Sequence, residues 1–402
     1  MSERKPATRA VEAGRSKAWT SLEGQPGGMV NPPVWRGSTH LYDDCEDLAS
    51  GRPNEDGHFY YGRRGGPTQW ALAQALTELE PGAEGTELFP SGVAAIAATL
   101  QALLRPGDEL LFTDNAYEPT RAIANGLLKR FGIASRSFDP LDTDAFADAI
   151  GDTTKVVMLE APGSLTMEVC DIPALTAIAR ERGVTSVLDN TWASPLGFPA
   201  LERGCDVTLM SLTKHVGGHS DVMMGSVSAA RPLIGRIRAH AQYTGQVVSP
   251  DDAALALRGL RTMPLRLERS AASALAIAQW LAGRAEVSAV LCPMLPGAPG
   301  HDLWKRDFAG GCGLFSFILR DADVAARARF IDALELFGIG FSWGGYESLA
   351  IPFDPARIRD HNAWPQKVDT GSGLGVRLSI GLEDTGDLIA DLDRAFAAMG
   401  TT

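Results

Sequence analysis

The stretch MSLTKHVGGHSD, Met210–Asp221, sets a single lysine, Lys214, among hydroxyls and glycines. Surface lysines usually sit in mixed charged company. Here Ser211 and Thr213 offer hydroxyl donors, and Gly217 and Gly218 allow a close backbone approach. A phosphate-bearing ligand would use such donors. A second set lies in PSGVAA, where Ser91 can cap a helix and the N–H groups of Gly92 and Val93 would stand at its N-terminus. Taken alone, that stretch is an ordinary capped helix. Asp189 ends the apolar run TSVLD, where a carboxylate could cap a helix, bind a loop or pair with a protonated heterocycle nitrogen. Tyr117 could be a core aromatic or a flat surface on which a ring stacks.

Together these are the parts that pyridoxal 5′-phosphate (PLP) requires: a lysine for its Schiff base, a carboxylate for its pyridinium nitrogen and donors for its phosphate. Competing chemistries fit less well. There is no P-loop, no GxGxxG and no GxSxG elbow. His215 and His219 are four apart, but the glycines between them suit a helical metal motif poorly, and no glutamate follows His215. The expectation is no metal.

The elements that must position these residues alternate along the chain. Helical spacing marks TQWALAQALTELE and SGVAAIAATLQALL, the latter closed by Pro106-Gly107. ELLFT, KVVMLE, TSVLD and CDVTLMS read as short apolar strands, separated by helices through RAIANGLLKRFG and IPALTAIARERG. Such alternation predicts an α/β fold with a mostly parallel sheet covered on both faces. Tyr117, Glu160–Ser164, Asp189 and Ser211–Lys214 then all follow carboxyl ends of strands, where open α/β sheets bind ligands. Residues 1–65 show little periodicity and read as an extended arm. Residues 66–260 form the large domain. Residues 261–402 form a smaller C-terminal α/β domain that begins with a long helix, interrupted near Pro264.

The 402 residues carry a net charge of −12, so nucleic acid is not an expected partner. No apolar run is long enough to span a bilayer, and the charged N-terminus does not read as a secretory signal. Five scattered cysteines without a CxxC fit a reducing cytoplasm.

The motifs FYYGRRG, LFPSGVAAI, NAYEP, EAPGSLTMEV, LDNTWA, SLTKHVGGHSD, FSWGGYES and RLSIGLED, in this order, resemble the PLP-dependent enzymes of Cys/Met metabolism, and most of all their bacterial cystathionine β-lyases. The likeness runs from NPPVWRGSTH to RLSIGLEDTGDLIADLD and departs at Val93 and in the loop 293–305. It implies the PLP-dependent transferase fold, type I. By resemblance, Lys214 is the Schiff-base lysine, Asp189 the partner of the ring nitrogen and Tyr117 the stacking tyrosine. Gly92, Val93, Ser211 and Thr213 cradle the phosphate, joined by Tyr61 and Arg63 from a neighbouring subunit. Arg377 grips the substrate carboxylate, with Ser342 and Trp343 beside it. The implied reaction is α,β-elimination from L-cystathionine or a related cysteine thioether, giving a thiol, pyruvate and ammonia, with Lys214 as base. The implied assembly is a homotetramer of active-site-sharing dimers. A γ-lyase or γ-synthase, or a non-catalytic cofactor-binding regulator, stays open as an alternative.

Overall fold

The computed structural model describes residues 4–22, 24–51, 57–361 and 373–399. They gather into two compact units that interleave along the chain, one of residues 1–104 and 199–264, the other of 105–198 and 265–402.

The first unit holds three strands, β1 (Gly85–Phe89), β6 (Val207–Ser211) and β7 (Gly225–Ala229), with β7 in the middle and antiparallel to both. Phe89 and Ser211 both pair with Gly225, so the carboxyl ends of β1 and β6 finish on one rung. The helix Gly92–Leu103 packs on all three strands. The helix Pro67–Leu79 packs on β1 and buries Leu72, Leu76 and Leu79, the expected stripe, at no more than 1% exposure. Truncating any of them to alanine should cost about 2–5 kcal/mol.

The start of the chain departs from the expected extended arm. Two short helices, Pro6–Glu12 and Lys17–Thr20, dock on the helix Pro67–Leu79. Gly14 lies against the Ala71 carbonyl with no room for a Cβ, and Trp19 stands 5.6 Å from Trp70, ring to ring. Arg261 Nη1 donates to the carbonyls of Ala10 and Ala13 at 2.9 and 2.7 Å, satisfying acceptors that the helix end leaves over. These contacts are tertiary, which is why local periodicity does not reveal them.

The second unit carries β2 (Glu109–Thr113), β3 (Ala134–Phe138), β4 (Thr154–Glu160) and β5 (Thr185–Asp189), all parallel, in the order β5-β4-β2-β3. β2, β4 and β5 are buried almost throughout, with apolar centres, because both faces are covered. Helix Ile172–Glu181 packs on β5, capped by Asp171. A five-stranded sheet follows: β8 (Val287–Leu291), β9 (Leu314–Leu319), β10 (Gly338–Ile339), β11 (Leu349–Phe353) and β12 (Gly375–Ser379), in the order β10-β11-β12-β9-β8. Helices Val324–Asp332 and Thr385–Met399 pack together beside it, burying Phe330, Leu388, Leu392 and Phe396.

The long helix runs unbroken from Pro250 to Ala282 with Pro264 inside it, where an interruption was expected. Proline removes one helical hydrogen bond, but the stripe Leu257, Leu260, Met263 and Leu267 is buried on either side and carries the helix through.

Candidate active site

In the first unit the site grows from the shared rung of β1, β7 and β6. Ser91 follows β1 in extended conformation, and its hydroxyl accepts from Ala94 N–H at 3.0 Å, as an N-cap does. The N–H groups of Gly92 and Val93 have no acceptor among the described residues. Gly92 lies directly against Ser211: a Cβ there would come within 2.9 Å of Ser211 Cβ and 3.0 Å of its Oγ. Glycine is required because two strand ends converge on the start of a helix.

Lys214 follows in a tight turn. Its N–H donates to Ser211 O at 3.2 Å, Gly217 N–H to Leu212 O at 2.7 Å and Gly218 N–H to Lys214 O at 2.8 Å. Thr213 ties this turn to the start of β7: its hydroxyl donates to Met224 O at 3.2 Å and accepts from Met224 N–H at 3.1 Å. Behind the turn, Gly259 of the long helix abuts the carbonyl oxygens of Val216 and Gly217 with no space for a side chain. His219 Nδ1 lies 2.8 Å from Gly217 O, and His215 is buried. The main chain around Lys214 is therefore fixed from two sides.

In the second unit the parallel register sets Glu160, the last residue of β4, beside Asp189, the last of β5. Asp189 is buried, and its Oδ1 accepts from Thr191 N–H at 3.0 Å and Thr191 Oγ1–H at 2.5 Å. Glu160 Oε2 accepts from the backbone N–H of Tyr117 at 2.6 Å. Burial, and then the neighbouring Asp189, push the Glu160 carboxyl well above the usual carboxylate range, against the Tyr117 hydrogen bond and Arg359. Burial is also the first cause that raises the Tyr117 phenol above its ordinary value, followed by Asp189, Glu160 and Glu118, while Arg377 pulls the other way. The Tyr117 ring, 42% exposed in this chain, thus feels both the acidic pair and the guanidinium.

Arg377 lies on β12 at 6% exposure. Its Nη2 donates to Ser342 O at 2.7 Å, while its buried Nε has no partner among the described residues. Burial lowers its pKa to about 10, with Tyr117 opposing the shift, so at neutral pH it is a buried cation with an open donor. Ser342 has φ +80°, a left-handed conformation costly for a non-glycine residue, and it presents its carbonyl to Arg377. Trp343 next to it is half-buried, and Gly344 N–H donates to Ser379 Oγ at 3.2 Å.

Tyr61 and Arg63 stand apart from these groups. Tyr61 is 47% exposed where a short 3₁₀ turn, Gly62–Arg64, begins, and Arg63 Nη1 donates to Gln242 O at 3.1 Å. No hydrogen bond or ion pair ties either of them to the Ser211–Lys214 turn among the described residues.

The features fit PLP: a glycine-tight cradle with two open N–H groups beside hydroxyls, a lysine on a fixed turn and a buried carboxylate at a strand end. The family described as Cys/Met metabolism PLP-dependent enzyme matches residues 7–397. The chain belongs to that family. It is 41% identical over 401 residues to "Cystathionine beta-lyase MetC" of Escherichia coli (strain K12), covering 99% of each chain. It is 43% identical over 375 residues to "Putative cystathionine beta-lyase" of Rhizobium johnstonii, covering 92% of each. A crystal structure of metB from Corynebacterium glutamicum superposes with a TM-score of 0.86 at 30% identity, covering 98% of both chains. The fold is the expected PLP-dependent type I fold and the cofactor is PLP.

Sequence reasoning placed Glu160 at a strand end near the crevice but gave it no role. It stands at a strand end in EAPGSLTMEV, but only the pairing of β4 with β5 sets it beside Asp189.

Proposed function

We propose that the enzyme is a carbon–sulfur β-lyase that cleaves L-cystathionine by α,β-elimination to homocysteine, pyruvate and ammonia. The observation that carries this reading is Arg377, a buried guanidinium with an open Nε beside the Tyr117 phenol's field, in a chain about 40% identical to proteins named cystathionine beta-lyase. A planar, multi-donor cation suits the α-carboxylate of an amino acid.

Bound PLP supplies an electron sink for the α-carbanion. Lys214 would hold the cofactor, take the α-proton once freed, and return a proton to the departing sulfur. Asp189 would keep the ring nitrogen protonated. Tyr117 would stack on the ring with its phenol neutral, since its pKa is raised. Gly92, Val93, Ser211 and Thr213 would hold the phosphate. The Thr213 hydroxyl proton lies on Met224 O, so its contribution would need that hydroxyl to turn. Ser342 and Trp343 would flank the carboxylate held by Arg377.

Tyr61 and Arg63 would complete the phosphate site of a neighbouring subunit, which their exposed turn permits, in a homotetramer of two active-site-sharing dimers. The proposed division is an arm over residues 1–65, a cofactor domain over 66–260 and a C-terminal domain over 261–402. No helix of the described residues is long and apolar enough to cross a membrane, and we place the enzyme in the cytoplasm.

The test is a product assay on purified, PLP-loaded protein with L-cystathionine. Pyruvate with homocysteine supports β-elimination. 2-Oxobutyrate with cysteine would replace this reading by γ-elimination, and the absence of both products would discard cystathionine as substrate.

A further inference from the structure

The pair Glu160 and Asp189 raises a question that the β-lyase reading leaves unanswered. Two carboxyls side by side at the ends of parallel strands repel when both are ionised. Asp189 has a task that needs its charge. Glu160 has no task in the elimination, yet it stands next to Asp189 in register and binds the main chain of Tyr117 at 2.6 Å.

We propose that Glu160 is a positioning residue: its carboxyl oxygen anchors the Tyr117 N–H and so fixes where the Tyr117 ring stands relative to Asp189. The inference rests on the PLP reading of the site and adds a residue to it.

The surroundings of Tyr117 show why an anchor is needed. Tyr117 precedes the one-turn helix Glu118–Ala122, so its N–H lies outside the helical pattern, and it has the extended ψ of 135°. A π-helical stretch, Ile123–Leu128, follows directly. Upstream, Ala116 N–H closes a turn on Thr113 O at 2.9 Å, and downstream Thr120 N–H bonds Tyr117 O at 2.8 Å. Arg121 then binds Asp114 through its carboxylate at 2.8 Å and its carbonyl at 3.0 Å. Among the described residues, Glu160 supplies the side-chain contact to the Tyr117 main chain itself. It comes from a strand interior to its sheet, the most rigid base available. Thr166, Glu168 and Arg359 form a second network behind it: Arg359 donates to Ser164 O at 3.1 Å and Glu168 Oε2 at 3.3 Å, and also binds Thr166 Oγ1.

The protonation state agrees with this role. The charges facing Glu160 are Asp189 on β5, Glu168 from the loop after β4 and Arg359, together with the Tyr117 N–H. Burial and Asp189 outweigh the cation, so the Glu160 carboxyl is pushed well above the usual carboxylate range, toward its neutral form. A neutral carboxyl still has a carbonyl oxygen to accept the Tyr117 N–H. Glutamine should therefore do the same work, and an apolar side chain of equal length should not.

The experiment compares Glu160→Gln with Glu160→Met in PLP-loaded enzyme. Three quantities are read: kcat and KM for L-cystathionine, the induced circular dichroism of the PLP band, and the melting temperature. The PLP dichroism reports how the ring is held and does not depend on turnover. Glu160→Gln is expected to keep kcat/KM within about fivefold of the parent and to leave the dichroism in place. Glu160→Met is expected to lower kcat at least about tenfold and to change the dichroism. In a Tyr117→Ala background the same Glu160→Met change should add less than about twofold, because residues that act as a unit are non-additive. Equal losses in both backgrounds, or Glu160→Met with parental kcat and dichroism, would overturn the proposal. Should Glu160→Met not fold, Glu160→Ala replaces it; failure of both to fold would also overturn it, making Glu160 a core residue. If the parent enzyme itself shows no PLP band, it is the reading of the site that fails.

Discussion

Arg377 Nη2 donates to the carbonyl of Ser342 at 2.7 Å while the Nε of the same buried guanidinium has no acceptor among the described residues. The first bond orients the guanidinium plane, and in the proposed site the second group would meet the substrate. A buried cation with an unpaired donor is unfavourable by itself, and an α-carboxylate removes both the charge penalty and the missing bond. The strained Ser342 backbone, φ +80°, is consistent with a loop shaped for this purpose.

Arg377→Ala should therefore act on substrate binding. Loss of a buried charge-assisted pair costs about 2–5 kcal/mol, so KM for L-cystathionine should rise at least about 30-fold. Arg377→Lys should recover little, since one ammonium cannot replace a planar fork. The parental pKa of about 10 keeps the guanidinium charged at neutral pH, so KM should not climb on its account until the pH approaches that value. Steady-state kinetics of the two variants decide, and an unchanged KM removes Arg377 from the site.

Lys214→Ala should abolish turnover and the covalent link to the cofactor. Borohydride treatment followed by peptide mapping should place the PLP adduct on Lys214 in the parent and nowhere in the variant. An adduct at another lysine would move the site.

Gly92→Ala tests the cradle. The added Cβ meets Ser211 Cβ at 2.9 Å, closer than real Cβ contacts come, so Ser211 must shift. Both residues belong to the proposed phosphate site, so the apoenzyme should bind PLP at least about tenfold more weakly, or about 1.4 kcal/mol. Reconstitution monitored by PLP absorbance checks this, with the melting temperature of the apo form as control.

Glu80 makes stability depend on pH. It lies at the end of the helix Pro67–Leu79 at 2% exposure, with Oε1 accepting from Leu201 N–H at 3.1 Å, and burial raises its pKa to about 8. Between the unfolded value of 4.5 and about 8 the folded state holds a proton that the unfolded state has lost. Its contribution is thus fully present below the lower value and is lost as pH rises through the upper one, by a few kcal/mol at most. Glu80→Gln should flatten the fall in melting temperature between pH ~5 and ~8, and an unaltered slope would refute this.

Much of this was open to sequence reasoning, for identifiable reasons. β2, β4, β5 and β6 are short apolar runs buried on both faces, and their ends carry Asp189 and Lys214. β7, GSVSA, was missed: all five residues are buried, yet they are small, two of them serines, and leave little apolar signal. β1 and β3 were missed too, and β3 has only one buried residue, at its end. Glu160 was visible as a strand end, but its neighbour is a matter of strand order, which no local pattern encodes. The helices at the start of the chain depend on Trp70, Ala71 and Arg261, far away in sequence.

Gly259 has a consequence for how this chain can vary. Its Cα stands where any Cβ would collide with the carbonyls of Val216 and Gly217, immediately behind Lys214. Every single-nucleotide change of a glycine codon that alters the residue adds a Cβ, so no neighbouring codon offers a mild replacement. Lineages carrying this turn and this helix are held to both at once: residue 259 is free to change only after residues 212–218 have found another path, although it carries no reactive group itself.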